Sequence, residues 1–250
     1  MMQKLKNRVG IITGATSGMG KAIALEFAKE GANLILSGRN VERGNELASQ
    51  LKNSIFISGD ISVPKTNKKL VKEAIDHFGK LDFIALNAGV LGLGNVMDLP
   101  IEKWNNTLET NVSSIFYLSK YALPHLLHSD SGNILINASI AAFKSFPQHP
   151  AYCASKAAAV ALMKQLAVEY GPKVRVNAIC PGPVDTPLLW DSAKAFKNPE
   201  SAVENAKNAT LLQRLGTPED IAKLALFLIT DDSSWITGSA ITIDGGILNT

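Results

Sequence analysis

Apolar and polar positions alternate between two patterns along the chain. Short, almost unbroken aliphatic runs recur as RVGIITGA, NLILSGR, SIFISGD, LDFIALNAG, GNILINAS, VRVNAICPG and GSAITIDGG. Between them lie longer segments whose apolar residues return every three or four positions, as on one helix face. These are GMGKAIALEFAKEGA, VERGNELASQLKN, KTNKKLVKEAIDHFGK, YCASKAAAVALMKQLAVEYG and PEDIAKLALFLIT. In the first, Ile23, Leu25 and Phe27 are expected on the buried side, with Gly31 as the stop. The stretch from Ile101 to Ser129 reads as one long helical segment interrupted near Pro124. The region between PGPVDT and PEDIAK reads as loose. Runs that are apolar on both faces suit strands covered on both sides. Strict alternation therefore predicts an α/β fold, a doubly wound parallel sheet of about seven strands with helices on both faces. No long linker divides residues 1–250, so one domain is expected. Ligands of such sheets bind at the carboxyl ends of the strands, near the switch in strand order.

Composition narrows the class. The chain has 250 residues, 46% hydrophobic and 19% charged, so a large packed core is expected and disorder is not. No apolar run is long enough to span a bilayer. The basic start MMQKLKNRVGIITGATSG has too short an apolar stretch for a signal peptide, so a cytoplasmic protein without membrane attachment is expected. A formal charge of +3 gives no ground for a nucleic-acid partner; the lysines of PKTNKKLVKEA are followed by Glu73 and Asp76 and read as a solvated face. Cys153 and Cys180 offer no disulfide framework and no CxxC, and small packing residues are the expected role. His125 and His128 lack a convincing third ligand, so no metal site is expected.

Every candidate for chemistry falls at a strand's carboxyl end or in the next helix. TGATSGMG, Thr13 to Gly20, joins the first strand to the first helix. Glycines there permit a tight turn and close backbone approach, and the helix start offers free N–H groups to a pyrophosphate. The second strand ends LSGRN. Gly38 stands where a carboxylate for a ribose 2′-hydroxyl would be expected, and Arg39 follows with a fork suited to a 2′-phosphate. This predicts NADP(H), with NAD(H) as the alternative. In AYCASKAAA, Tyr152 and Lys156 lie one helical turn apart on the same face. A Tyr-x-x-x-Lys match is common by chance, so the pair decides nothing alone.

The whole set, in order, resembles the short-chain dehydrogenase/reductase family over nearly the full chain. It comprises TGATSGMG, Asp60 in GDIS, Asn87-Ala88-Gly89, Asn111 in ETNV, Ser139 in INAS, Tyr152 and Lys156 in YCASK, PGPVDT and the late DGG. The resemblance implies a Rossmann-type single domain. It implies coenzyme contacts from Gly14, Thr16, Ser17, Gly18, Met19 and Gly20, and from Ser37 and Arg39. Asp60 would meet the adenine amino group, Ile61 the ring, and Asn87, Ala88 and Gly89 the adenosine ribose. Pro181, Gly182, Val184 and Thr186 would flank the nicotinamide. Ser139, Tyr152, Lys156 and Asn111 would form the catalytic set, with Tyr152 and Lys156 also touching coenzyme. Ser17 stands where NADP-preferring members often carry a basic residue. Ala138 and Ala142 stand where a serine and a glycine are frequent.

The implied reaction is hydride transfer between the coenzyme and a carbonyl or alcohol. A phenol of pKa near 10 needs help to act as a base at neutral pH, and a neighbouring ammonium and a positive nicotinamide would give it. Ser139 would polarise the substrate oxygen, Lys156 would hold ribose hydroxyls, and Asn111 would position a relay water. The readings that follow are a 3-oxoacyl or other ketone reductase, an NAD-dependent alcohol, sugar or steroid dehydrogenase, or a non-catalytic dinucleotide sensor. Residues 188–212 read as a mobile helical lid. Leu188, Leu189 and Trp190 suggest an apolar wall, to which Leu91, Leu93, Phe143 and Phe146 are candidates to add. Family members are commonly homotetramers, paired through the two long helices and the C-terminal strands.

Overall fold

The computed structural model describes residues 3–250. Among them the strands are β1 (Val9–Thr13), β2 (Asn33–Gly38), β3 (Ser54–Ser58), β4 (Phe83–Leu86), β5 (Gly132–Asn137), β6 (Val174–Pro181) and β7 (Ala240–Ile243). They form one parallel sheet in the order β3-β2-β1-β4-β5-β6-β7. The chain builds outward from β1 to β3, then crosses back and builds outward again from β4. The carboxyl ends of β1 and β4 therefore border the switch-point crevice. The seven parallel strands agree with the alternation in the sequence.

The helices are α1 (Gly18–Lys29), α2 (Val41–Gln50), α3 (Pro64–Phe78), α4 (Ile101–Leu108), α5 (Ser114–Leu126), α6 (Pro150–Tyr170), α7 (Pro187–Ala193), α8 (Pro199–Asn208) and α9 (Pro218–Ile229). Successive strand residues point to opposite faces. Ile11 joins a core with Ile84, Ile134, Leu70 of α3, Leu118 of α5 and Met163 of α6. Its neighbour Ile12 joins the other core, with Phe27 of α1, Leu47 of α2 and Ala225 of α9. No helix among the described residues is long and apolar enough to cross a membrane.

Three local expectations are corrected. Leu25 is 40% exposed, while Ile23 and Phe27 are buried. At about 100° per residue, Leu25 stands on the far side of α1 from Ile23. The long helical stretch breaks at Glu109–Ser113, a single wide π turn between α4 and α5, and not at Pro124. Pro124 sits two residues from the end of α5, where the missing N–H removes one bond without ending the helix. The region between PGPVDT and PEDIAK, loose by its apolar pattern though helical over residues 188–212 in the lid reading, contains α7 and α8. Thr186 caps the first with its side chain and Asn198 the second.

Candidate active site

The glycine turn is built by steric need. Gly14 has φ +64°, and a Cβ there would stand 2.9 Å from Ala88 Cα. A Cβ on Gly20 would stand 2.3 Å from Gly14 O, so α1 starts this close to the turn only because position 20 is bare. The Thr13 hydroxyl accepts from the N–H groups of Asn87 (3.1 Å) and Ala88 (3.3 Å), tying the end of β4 to the end of β1. Ser17 precedes α1 in an extended conformation without a side-chain cap. The first-turn N–H groups of α1 thus keep their donors for a ligand.

Gly14, Thr16, Ser17, Gly18, Met19, Arg39, Asp60, Ile61, Asn87, Ala88 and Gly89 all line one cleft of about 760 Å³. Tyr152, Lys156 and Thr186 line it too. Pro181, Gly182 and Val184 line an adjoining cavity of about 200 Å³, which also has Ser139 and Tyr152 in its wall. Gly20 and Ser37 line neither. Ser37 is fully buried, and its carbonyl accepts from Ala15 N at 3.0 Å beneath the turn.

Tyr152 and Lys156 stand near the start of α6, and Tyr152 lines both spaces. The Lys156 ammonium lies 5.5 Å from the Tyr152 ring centre and donates to Asn137 O at 2.8 Å. Lys156 is buried, which lowers its pKa from 10.5 to about 8. Tyr152 is partly accessible from the cleft, yet desolvation by its surroundings pushes the phenol up to about 12, against a smaller opposing pull from the Ser139 hydroxyl. Ser139 Oγ accepts from Ala141 N at 3.0 Å, which leaves the hydroxyl proton free. Asn111 is buried in the wide turn. Its Oδ1 accepts from Val90 N (2.8 Å), and its Nδ2 donates to Val90 O (2.8 Å) and Ser155 Oγ (2.9 Å). Ser155 in turn donates to Tyr152 O at 2.8 Å. A Cβ on Gly89 would stand 3.3 Å from Asn111 Oδ1 and 3.6 Å from Lys156 Nζ. These two side chains therefore flank one small space under the cleft.

A family model described as enoyl-(acyl carrier protein) reductase matches residues 14–248. The chain belongs to the short-chain dehydrogenase/reductase family. Its similar relatives include an uncharacterised oxidoreductase of Thermotoga maritima, 36% identical over 96% of this chain and 97% of that one. A cyclohexanol dehydrogenase of an Acinetobacter species is 33% identical, and a 3β-hydroxysteroid dehydrogenase of Mediterraneibacter gnavus 34%, each over 98% of this chain and 96% of the relative. The solved structure of ligand-free aldohexose dehydrogenase from Thermoplasma acidophilum is similar, with a TM-score of 0.92 and 28% identity, covering all of this chain and 97% of that one. The chain is thus a short-chain oxidoreductase, with a nicotinamide dinucleotide as its class of coenzyme. The bare glycine cradle and uncapped α1 donors fit the pyrophosphate of such a coenzyme.

Several residues of this short-chain dehydrogenase/reductase site escaped the sequence reading. Arg43 lines the cleft beside Arg39. Asn40 caps α2 by accepting from Arg43 N at 2.8 Å, which returns position 43 to the cleft mouth. An Asn three residues before an Arg was the available signal. Among the described residues, neither arginine is paired with a carboxylate. His149, one residue before α6, lines the smaller cavity. Of the apolar candidates, Leu189 and Phe146 line that cavity, Leu93 lines the cleft, and Leu91 and Leu188 line both. Phe143 is exposed and lines neither. Trp190 also lines neither, its Nε1 donating to Asp185 Oδ1 at 2.9 Å. Among the described residues no group of three or more His, Cys, Asp or Glu could hold a metal ion.

Proposed function

We propose that this chain transfers hydride between NADP(H) and a ketone or the matching secondary alcohol, with Tyr152 moving the proton. The observation that carries this reading is the position of Tyr152 in the wall shared by the cleft and the smaller cavity. The nicotinamide coenzyme supplies the hydride donor or acceptor. Tyr152, held protonated at neutral pH, gives its proton to the carbonyl oxygen during reduction and takes it back during oxidation. Ser139 donates its free hydroxyl proton to the same oxygen and polarises it. Lys156 has one N–H committed to Asn137 O, and its remaining donors serve the ribose hydroxyls. Asn111, pinned to Val90 and Ser155, holds the turn and borders the space for a relay water beside Lys156.

The coenzyme reading rests on Arg39 and Arg43 at the cleft mouth and on Gly38 at the end of β2. Asp60, the nearby carboxylate in the lining, already accepts from Ser62 N and Ser62 Oγ. Two free guanidiniums favour a 2′-phosphate. Residues 188–212, holding all but the first residue of α7 and the whole of α8, are the cover that opens for substrate. Exposed Phe116, Val168 and Trp235 support a homotetramer, expected in the cytoplasm. The experiment is a comparison of kcat/KM for NADPH and NADH during ketone reduction, read at the nicotinamide absorbance. A clear preference for NADPH supports the reading, and a preference for NADH replaces it with the NAD-dependent alternative.

A further inference from the structure

The smaller cavity carries more information about the substrate than the family does. It holds about 200 Å³, less than the roughly 300–1,000 Å³ of pockets that take drug-sized ligands, and on the proposed reading the side of it lined by Pro181, Gly182, Val184 and Thr186 is shared with the nicotinamide. No charged and no amide side chain lines it; the wall is mainly Leu91, Ile140, Phe146, Leu189, Val203 and Ile247 with several alanines and prolines. Five polar side chains remain: Ser139, His149, Tyr152, Thr186 and Ser192. Ser139 and Tyr152 are the reacting pair. Thr186 is spent on α7, donating to Val184 O at 3.2 Å and accepting from Leu189 N at 3.4 Å.

His149 is spent on Pro147 and Ser192, and Ser192 spends its one proton on His149. His149 Nδ1 lies 2.6 Å from Pro147 O, which can only accept, so Nδ1 carries the proton. Nε2 is then the bare acceptor, and the Ser192 hydroxyl donates to it at 2.7 Å. Burial lowers the imidazole pKa, in keeping with the neutral ring. The contact links the turn before α6 to α7 across 43 residues of sequence, and closes the one polar stretch of wall that does no chemistry.

We infer that the substrate is a compact, uncharged ketone or secondary alcohol of about one ring, with a single oxygen, and that the self-satisfied His149–Ser192 pair turns away polyols. The inference rests on the proposed hydride-transfer reading. A sugar would bring several hydroxyls into a wall whose side-chain donors outside the reacting pair are spent and whose remaining side-chain acceptors are the spare oxygen lone pairs of Ser192 and Thr186, and a charged or amide-bearing chain would lose its hydration likewise. An apolar pocket rejects one added hydroxyl by roughly a hundred-fold. A four-ring skeleton exceeds the cavity as α7 and α8 close it.

The test uses the full-length enzyme with NADPH or NADP⁺ and a probe panel: cyclohexanone, 4-methylcyclohexanone, 4-hydroxycyclohexanone, a 3-ketosteroid, and glucose in the oxidative direction. Coenzyme binding is followed separately by fluorescence. The expected result is that 4-methylcyclohexanone exceeds 4-hydroxycyclohexanone in kcat/KM by about ten-fold or more, with the steroid and glucose poorer still. Ser192→Ala bares His149 Nε2 as a free acceptor, and the methyl-to-hydroxyl ratio falls several-fold. A wild-type ratio near one, a ratio unmoved in Ser192→Ala, or glucose or the steroid as best substrate overturns the inference. Coenzyme binding without turnover of any monocyclic ketone overturns it while the dinucleotide reading survives. Failure to bind either coenzyme overturns the underlying reading instead.

Discussion

Lys156 and Tyr152 stand one turn apart on α6, the ammonium 5.5 Å from the centre of the phenol ring. Neither group is at ease there. Burial opposes the charge on Lys156 and any charge on Tyr152, so the two pKa values move apart from where catalysis of alcohol oxidation needs them. Burying this pair therefore costs stability, and at neutral pH the phenol stays protonated, as the proposed reduction requires.

Replacing Lys156 with Met should separate stability from function. The folded chain binds the Lys156 proton less tightly than the unfolded chain does. The burial penalty is fully present below about pH 8 and relieved as pH rises towards 10.5. It amounts to about 3 kcal/mol at pH 7. Loss of the bond to Asn137 O gives back about 1–3 kcal/mol. Urea unfolding at pH 7 should show Lys156→Met at least as stable as wild type, by up to about 2 kcal/mol. The difference should shrink between pH 8 and 10, and turnover should be lost at every pH. Marked destabilisation at pH 7 would contradict the assignment of Lys156 as a group that costs stability.

Gly89→Ala tests the space beside Lys156. The added Cβ would stand 3.3 Å from Asn111 Oδ1 and 3.6 Å from Lys156 Nζ, close enough to displace a water and not close enough to unfold the turn. Unfolding free energy should stay within about 0.5 kcal/mol of wild type, while kcat falls about ten-fold or more, in the range of a lost proton-transfer aid. Unchanged kcat would remove the relay from that space.

Arg39 and Arg43 should share the 2′-phosphate. A charge-assisted contact is worth about 1.5–3 kcal/mol, so either Arg39→Ala or Arg43→Ala should raise KM for NADPH about ten- to hundred-fold. KM for NADH should barely move, and the double variant should approach parity between coenzymes. An effect of Arg39→Ala alone, with Arg43→Ala silent, would leave the phosphate to one arginine.

The sheet was legible because its strands are apolar on both faces, a pattern that solvent-exposed segments do not show. That Tyr152 and Lys156 share a helix face was legible because i and i+4 need no tertiary knowledge, while their pairing with Ser139 and Asn111 came only from the resemblance carried by the ordered motifs. What escaped depends on contacts distant in sequence. The wide turn at Glu109–Ser113 contains Asn111, which bonds Val90 and Ser155, 21 and 44 residues away, and no local signal competes with the familiar helix-breaking reputation of Pro124. The His149–Ser192 contact likewise spans two segments that read separately as a loop and a loose region. Arg43 was overlooked for a different reason: a cation in the first turn of α2 reads as surface until the Asn40 cap fixes where that turn points.

The most direct test of the central claim is single-turnover reduction of cyclohexanone by Tyr152→Phe with NADPH, alongside the coenzyme Kd. The ring and its packing remain, and only the proton donor is removed. The account predicts a rate at least about a thousand-fold below wild type, the scale of a proton-transfer group acting with its neighbours, with the coenzyme Kd within a few-fold. Turnover within ten-fold of wild type would contradict it, whatever the substrate proves to be.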